Sequence, residues 1–154
     1  MKAEGTRDYH MRGKCLCGKV EFEVLGRIAR LYQCHCGLCR KQSGSSSNTA
    51  TIVTENHFRW LAGKEGISSW VKDTGFRSDF CSTCGSPVPN PLRSTDYWWI
   101  PAGLLEGESE AKVAAHLFIG SKASWDEITG TASRYDEMPQ LLDIVTILHP
   151  NIKT

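Results

Sequence analysis

Gln33-Cys34-His35-Cys36-Gly37-Leu38-Cys39-Arg40-Lys41 sets three cysteines within six residues and follows them at once with two cations. Ordinary core packing does not call for that density of sulfur. In the knuckle Cys36-x-x-Cys39 two thiolates can converge on one metal ion, and Gly37 supplies the backbone freedom that a turn this tight needs. Arg40 and Lys41 then favour the thiolate form. Three sulfurs are one short of a closed tetrahedral zinc site, and an open fourth position is what separates catalytic from structural zinc.

Outward from this stretch, the remaining cysteines fall into two more short clusters, Cys15-x-Cys17 and Cys81-x-x-Cys84, making seven in all. An odd number in tight clusters argues against full disulfide pairing and for metal or thiol chemistry in a reducing compartment. The segment Met1-Lys2-Ala3-Glu4-Gly5-Thr6-Arg7-Asp8 lacks the apolar run of a signal peptide, so a cytoplasmic protein is expected. Zinc is favoured over iron–sulfur, since cluster-binding chains usually place four cysteines for one cluster. Seven sulfurs divide into four plus three, one closed site and one open. Spacing alone leaves the grouping open: Cys36, Cys39, Cys81 and Cys84 would also make an acceptable closed site, leaving Cys15, Cys17 and Cys34. Purely architectural metal in a non-catalytic interaction module fits the same spacing.

With 154 residues, 40% of them hydrophobic, the chain can bury one ordinary core. Eighteen basic residues against 17 acidic leave a net charge of +1, which gives no global field for nucleic acid or an anionic membrane. No apolar run approaches the roughly 20 residues of a membrane span. Partners must therefore be inferred from the sites, and a homodimer is compatible with the composition.

Residues 1–12 read as a flexible polar arm and 13–154 as a single zinc-binding domain. Val20, Phe22 and Val24 alternate with Lys19, Glu21 and Glu23, a half-buried strand of period two. Residues 28–34 read as the next strand, pairing with it as a hairpin and delivering the central cluster at its end. A short helical turn over Cys39–Ser43 leads into a Ser/Gly-rich loop at 44–48. Strands follow at 49–54, 58–61, 67–71 and 76–80, the last leading into Cys81-x-x-Cys84, and again at 97–104 and 112–118. Trp98 and Trp99 read as core. The tail from Ser121 reads as short turns over a sheet, and 1–120 shows no long period of 3.6.

Four separated motifs occur in order: Gly13-x-Cys15-x-Cys17-Gly18-x-Val20-x-Phe22, Cys34-His35-Cys36-x-x-Cys39-Arg40-Lys41-x-x-Gly44, Phe80-Cys81-x-x-Cys84-Gly85-Ser86-Pro87 and His116-x-Phe118-x-x-Ser121-Lys122-Ala123-x-Trp125. Together they resemble the glutathione-dependent formaldehyde-activating enzyme family, also called the centromere protein V type. The resemblance implies a mainly β fold, a β-tent of antiparallel sheets stapled by a structural zinc with few short helical turns. It implies that Cys15, Cys17, Cys81 and Cys84 hold that zinc, while Cys34, Cys36 and Cys39 hold a catalytic one. It also implies a carbon–sulfur lyase that joins glutathione to formaldehyde, with His116 and Lys122 as candidate glutathione contacts. Joining two strand-end turns about 65 residues apart would make metal binding part of folding. Gly37, where the family often has Ser, and Val88-Pro89-Asn90 depart from the family pattern without touching a ligand. They leave room for another small thiol adduct or a secondary metabolite as substrate. His35, between two ligands, is expected to point away from the metal.

Overall fold

The computed structural model describes residues 9–150. In chain order its strands are β1 (His10–Lys14), β2 (Glu21–Leu25), β3 (Arg30–Cys34), β4 (Asn48–Thr54), β5 (Phe58–Ala62), β6 (Ile67–Val71), β7 (Arg77–Cys81), β8 (Asn90–Pro91), β9 (Tyr97–Pro101), β10 (Lys112–Leu117) and β11 (Ser133–Arg134), with helices α1 (Gly37–Ser43) and α2 (Leu141–Leu148). The fold is mainly β, and most pairings are antiparallel. The chain divides into two compact units. One runs through Ile28 and resumes at Ile52–Ser109; the other comprises Ala29–Thr51 and the chain from Glu110 onward.

In the first unit β2 lies between β1 and β5, both antiparallel to it. The expected flexible arm therefore ends earlier than read: residues 10–12 belong to β1, because Met11 is buried while its neighbours face out, and residues 1–8 lie outside the described residues. The core of this sheet is aromatic. Phe22 packs on Phe58 at 5.8 Å between ring centroids, and Trp98 stacks on Phe58 at 4.3 Å with an interplanar angle of 16°. Gly13 lies opposite Phe22 in the register, and a Cβ there would fall 2.3 Å from the Phe22 ring. Close approach, not turn formation, is why this position is glycine. The period-two reading of β2 fails at Glu23, which is buried. Its carboxylate is gripped by the Arg59 guanidinium from β5 and lies 3.6 Å from His10 of β1, and pairing of this kind is what allows a buried charge. The hairpin of β6 and β7 ends at Cys81.

The second unit contains the central cysteine stretch. β3 does not form a hairpin with β2. It pairs antiparallel with β4 and parallel with β10, which in turn pairs parallel with β11. Local alternation cannot distinguish a hairpin neighbour from a strand some 80 residues away. The tail is also more regular than expected, since α2 places Ile144, Val145 and Leu148 in the core and packs on β3 and β10. Leu141, Ile144, Val145 and Leu148 hold the i, i+3, i+4, i+7 spacing of one buried helix face.

Candidate functional site

The two groups of cysteines lie in different units. Cys15, Cys17, Cys81 and Cys84 come together in the first, and Cys34, Cys36 and Cys39 in the second, with the sulfurs of each group all within 4.8 Å of one another. Of the groupings that spacing left open, the geometry brings these two together.

The four-sulfur group is built from two similar knuckles. After β1 the chain folds back so that Cys15 N–H donates to the Val20 carbonyl at 3.0 Å, Gly18 N–H donates to the Cys15 carbonyl at 3.1 Å, and Val20 N–H donates to Cys15 Sγ at 3.3 Å. After β7, Cys81 N–H donates to the Ser86 carbonyl and Gly85 N–H to the Cys81 carbonyl. Gly18 and Gly85 sit at matching left-handed φ values of 84° and 81°, where a side chain would strain the turn. A hydrogen bond from Leu16 N–H to Ser86 Oγ at 2.9 Å ties the knuckles together. Four sulfurs at tetrahedral corners about 2.3 Å from a zinc ion would be separated by about 3.8 Å. The sulfurs of Cys15 and Cys17 are 3.6 Å apart, and those of Cys17 and Cys81 3.8 Å, so the donor set fits zinc in number, chemistry and spacing. Cys15 and Cys81 are buried against Val20 and Val88, with Trp60, Ile67 and Leu104 around them. The Ser86 hydroxyl and backbone hold the Cys84 thiol down to about 5.

The three-sulfur group is organised by the start of α1. Cys34 ends β3, Cys36 caps α1 with its Sγ accepting from Cys39 N–H at 3.4 Å, and Cys39 lies in the helix. Hydrogen bonds from the Cys34 and Cys39 thiols, with backbone N–H groups at the helix start adding to their effect, hold the Cys36 thiol well below the ordinary thiol range. The same sharing raises Cys34 to about 11 and Cys39 further. Arg40 does not face the sulfurs as its position suggested. Its guanidinium donates to the carbonyls of His35 and Ser121, both at 3.3 Å, and so ties α1 to the turn after β10. At its other end α1 closes on Gly44 in a left-handed conformation (φ 67°), with Gly44 N–H donating to the Arg40 carbonyl.

His35 is buried at 2% exposure, and its ring nitrogens face other side chains. Its Nε2 is 3.0 Å from Nδ1 of His116, and its Nδ1 is 3.5 Å from the Asp126 carboxylate. Burial pulls both imidazoles below their ordinary value; in His35 the Asp126 carboxylate opposes this, and in His116 the neighbouring His35 adds to it. Lys122 donates to the Asp126 carbonyl at 2.8 Å. Trp125 is 71% exposed. Sequence reasoning missed Asp126. It follows the last motif directly, yet nothing in the order of residues signals that it meets a histidine 91 positions earlier.

A mainly β fold with two separate clusters of converging cysteine sulfurs, one of four and one of three, defines a class of thiolate metal-site proteins. Residues 10–121 match the sequence model of the glutathione-dependent formaldehyde-activating enzymes, and the chain belongs to that family. No curated protein sequence matches it significantly. Among solved structures it is similar to the crystal structure of a Rhodobacter sphaeroides protein from a structural genomics programme. The two share 28% identity at a TM-score of 0.54, over 64% of this chain and 91% of that one. Among the described residues no helix is long and apolar enough to cross a membrane.

Proposed function

We propose that this chain is a zinc-dependent carbon–sulfur lyase of the S-(hydroxymethyl)glutathione synthase type, adding the thiol of glutathione to formaldehyde. In the net reaction a sulfur–carbon bond forms, the carbonyl π bond opens, and the thiol proton ends on the new hydroxyl. The observation that carries this reading is the three-sulfur group: Cys34, Cys36 and Cys39 converge without a fourth ligating side chain among the described residues, which suits a site that accepts a ligand from outside. These three would hold a catalytic zinc, and Cys15, Cys17, Cys81 and Cys84 a structural one, two per chain. A zinc ion held by three thiolates supplies an exchangeable fourth position and lowers the pKa of a thiol bound there.

The chain's own residues supply the rest. Cys36, at the start of α1, is the sulfur most ready to ligate at neutral pH. Lys122 gives one of its three N–H groups to the Asp126 carbonyl and keeps two for a carboxylate of the tripeptide. His116 has Nδ1 engaged by His35, leaving Nε2 for a glutathione contact. All seven cysteines are unpaired, which suits a reducing, cytoplasmic setting, and the near-neutral charge speaks against a nucleic-acid partner. The test is exchange NMR of glutathione with formaldehyde, with and without the zinc-loaded protein. Faster exchange is expected, and an unchanged rate with two zincs bound would redirect the reading to another small thiol adduct.

A further inference from the structure

We propose that Asp126 is a positioning residue for the three-cysteine site, acting through a directional hydrogen-bond chain Asp126–His35–His116 that locks the backbone between Cys34 and Cys36. This rests on the reading that those cysteines form the open metal site.

The polar atoms of His35 are anchored on several sides, and the Ser46 backbone also meets its ring. Its N–H donates to the Leu117 carbonyl at 2.9 Å and its carbonyl accepts from Arg40 Nε at 3.3 Å. Its Nε2 meets His116 Nδ1 and its Nδ1 faces Asp126 Oδ2. Cys34 and Cys36 flank this residue, so wherever His35 is fixed, two of the three sulfurs are fixed with it. Asp126 Oδ2 and His35 Nδ1 are both buried and have no hydrogen-bond partner within ordinary distance. Two such atoms, 3.5 Å apart and facing each other, have a strong reason to pair.

That pairing sets the direction of the whole chain. A carboxylate can only accept, so His35 must carry its ring proton on Nδ1. A neutral imidazole has one donor and one acceptor, so His35 Nε2 accepts and His116 must donate from its own Nδ1. His116 Nε2 is left as an acceptor. Carboxylates that orient a metal-ligating imidazole typically affect metal affinity about 10- to 100-fold; His35 is not a ligand but carries the backbone between two, so the effect of Asp126 is set at the low end of that range.

The experiment uses full-length, zinc-loaded protein. Nitrogen-15 NMR of the histidine rings is expected to show both His35 and His116 protonated on Nδ1. Asp126→Ala should mix the tautomers of both rings and weaken zinc at the three-cysteine site by up to about tenfold, the low end of the effect of groups that act directly on a ligand, measured by chelator competition, with zinc at the four-cysteine site unchanged. Asp126→Asn offers an amide oxygen in the same place and should largely restore both. Nε2 protonation of His35 in the unmodified protein would overturn the proposal, and so would an Asp126→Ala variant with unchanged tautomers or unchanged zinc affinity. If Asp126→Ala does not fold, the unmodified spectrum and Asp126→Asn decide. None of these readouts needs glutathione or formaldehyde, so failure of the proposed reaction would leave the outcome legible.

Discussion

Replacing Cys81 by serine should destabilise the protein far more than replacing Cys36, although each removes one sulfur from a cluster. Cys81 lies 64 residues from Cys17, and a metal bridging the two knuckles closes that loop in the unfolded chain. Treated as a cross-link, a loop of this length restricts the unfolded ensemble by about 4 kcal/mol. Typical domains are stable by only about 5–15 kcal/mol. For a chain of this size each kcal/mol is worth about 2–4 °C in melting midpoint, so losing the bridge predicts a fall of about 8–16 °C. Cys81 is also 2% exposed in an apolar cluster, and a serine hydroxyl there adds a desolvation penalty on the order of 1–3 kcal/mol if it finds no partner. Cys36, by contrast, closes only short local loops with Cys34 and Cys39, and its site lies at a helix start that is capped and tethered without metal. Differential scanning calorimetry of the zinc-loaded variants, with zinc counted by atomic emission, is the assay. Cys36→Ser should lose one zinc and stay within a few degrees of the parent, whereas Cys81→Ser should lose one zinc and melt much earlier. Equal midpoints, or a larger fall for Cys36→Ser, would refute the assignment of folding to the four-cysteine cluster.

Two further outcomes are expected. Gly13→Ala should lower stability by about 1–3 kcal/mol in urea titration, because its Cβ would overlap the Phe22 ring and force an overpacked core to shift; Gly18→Ala, with nothing within 4 Å of its Cβ, should cost only the strain of its positive φ. After chelation, Cys36 should be alkylated by iodoacetamide at a rate nearly flat from pH 8 to pH 5. An ordinary thiol slows about tenfold per pH unit there as its thiolate disappears, and peptide mapping would separate Cys36 from the protonated Cys34 and Cys39.

The cysteine clusters were legible because a metal knuckle is a local object: spacing, a glycine and a strand end are all written in a few consecutive residues. The β character was legible for the same reason, and strands such as 67–71 and 97–101 fall close to where β-branched and aromatic runs put them. Pairing was another matter. β3 takes β10 as a parallel neighbour because both ends of that contact belong to one unit assembled from distant segments, and alternation within either strand is silent on it. Glu23 defeated the alternation because its partners, Arg59 and His10, arrive from other strands. Asp126 was invisible for the same cause: it carries no motif of its own, and its meaning comes from a histidine that only the folded chain brings near.

The contrast between the two clusters explains why so much non-ligand structure surrounds the smaller one. Four thiolates round a metal fix their own geometry, and the knuckles that carry them need little beyond two left-handed glycines and one serine contact. On the proposed reading, three thiolates would leave a coordination position that the described residues do not fill, so an ion there would exert less restraint on the turn that holds it. The restraint must then come from elsewhere, and here it comes from the Cys39 N–H on Cys36 Sγ, the Leu117 carbonyl on His35 N–H, Arg40 spanning His35 and Ser121, and the buried His35 ring set between His116 and Asp126. If the proposed function holds, a site that releases its guest without losing its metal needs its rigidity supplied by groups that never touch either. That requirement would account for a histidine buried between two cysteines whose ring nitrogens face His116 and Asp126.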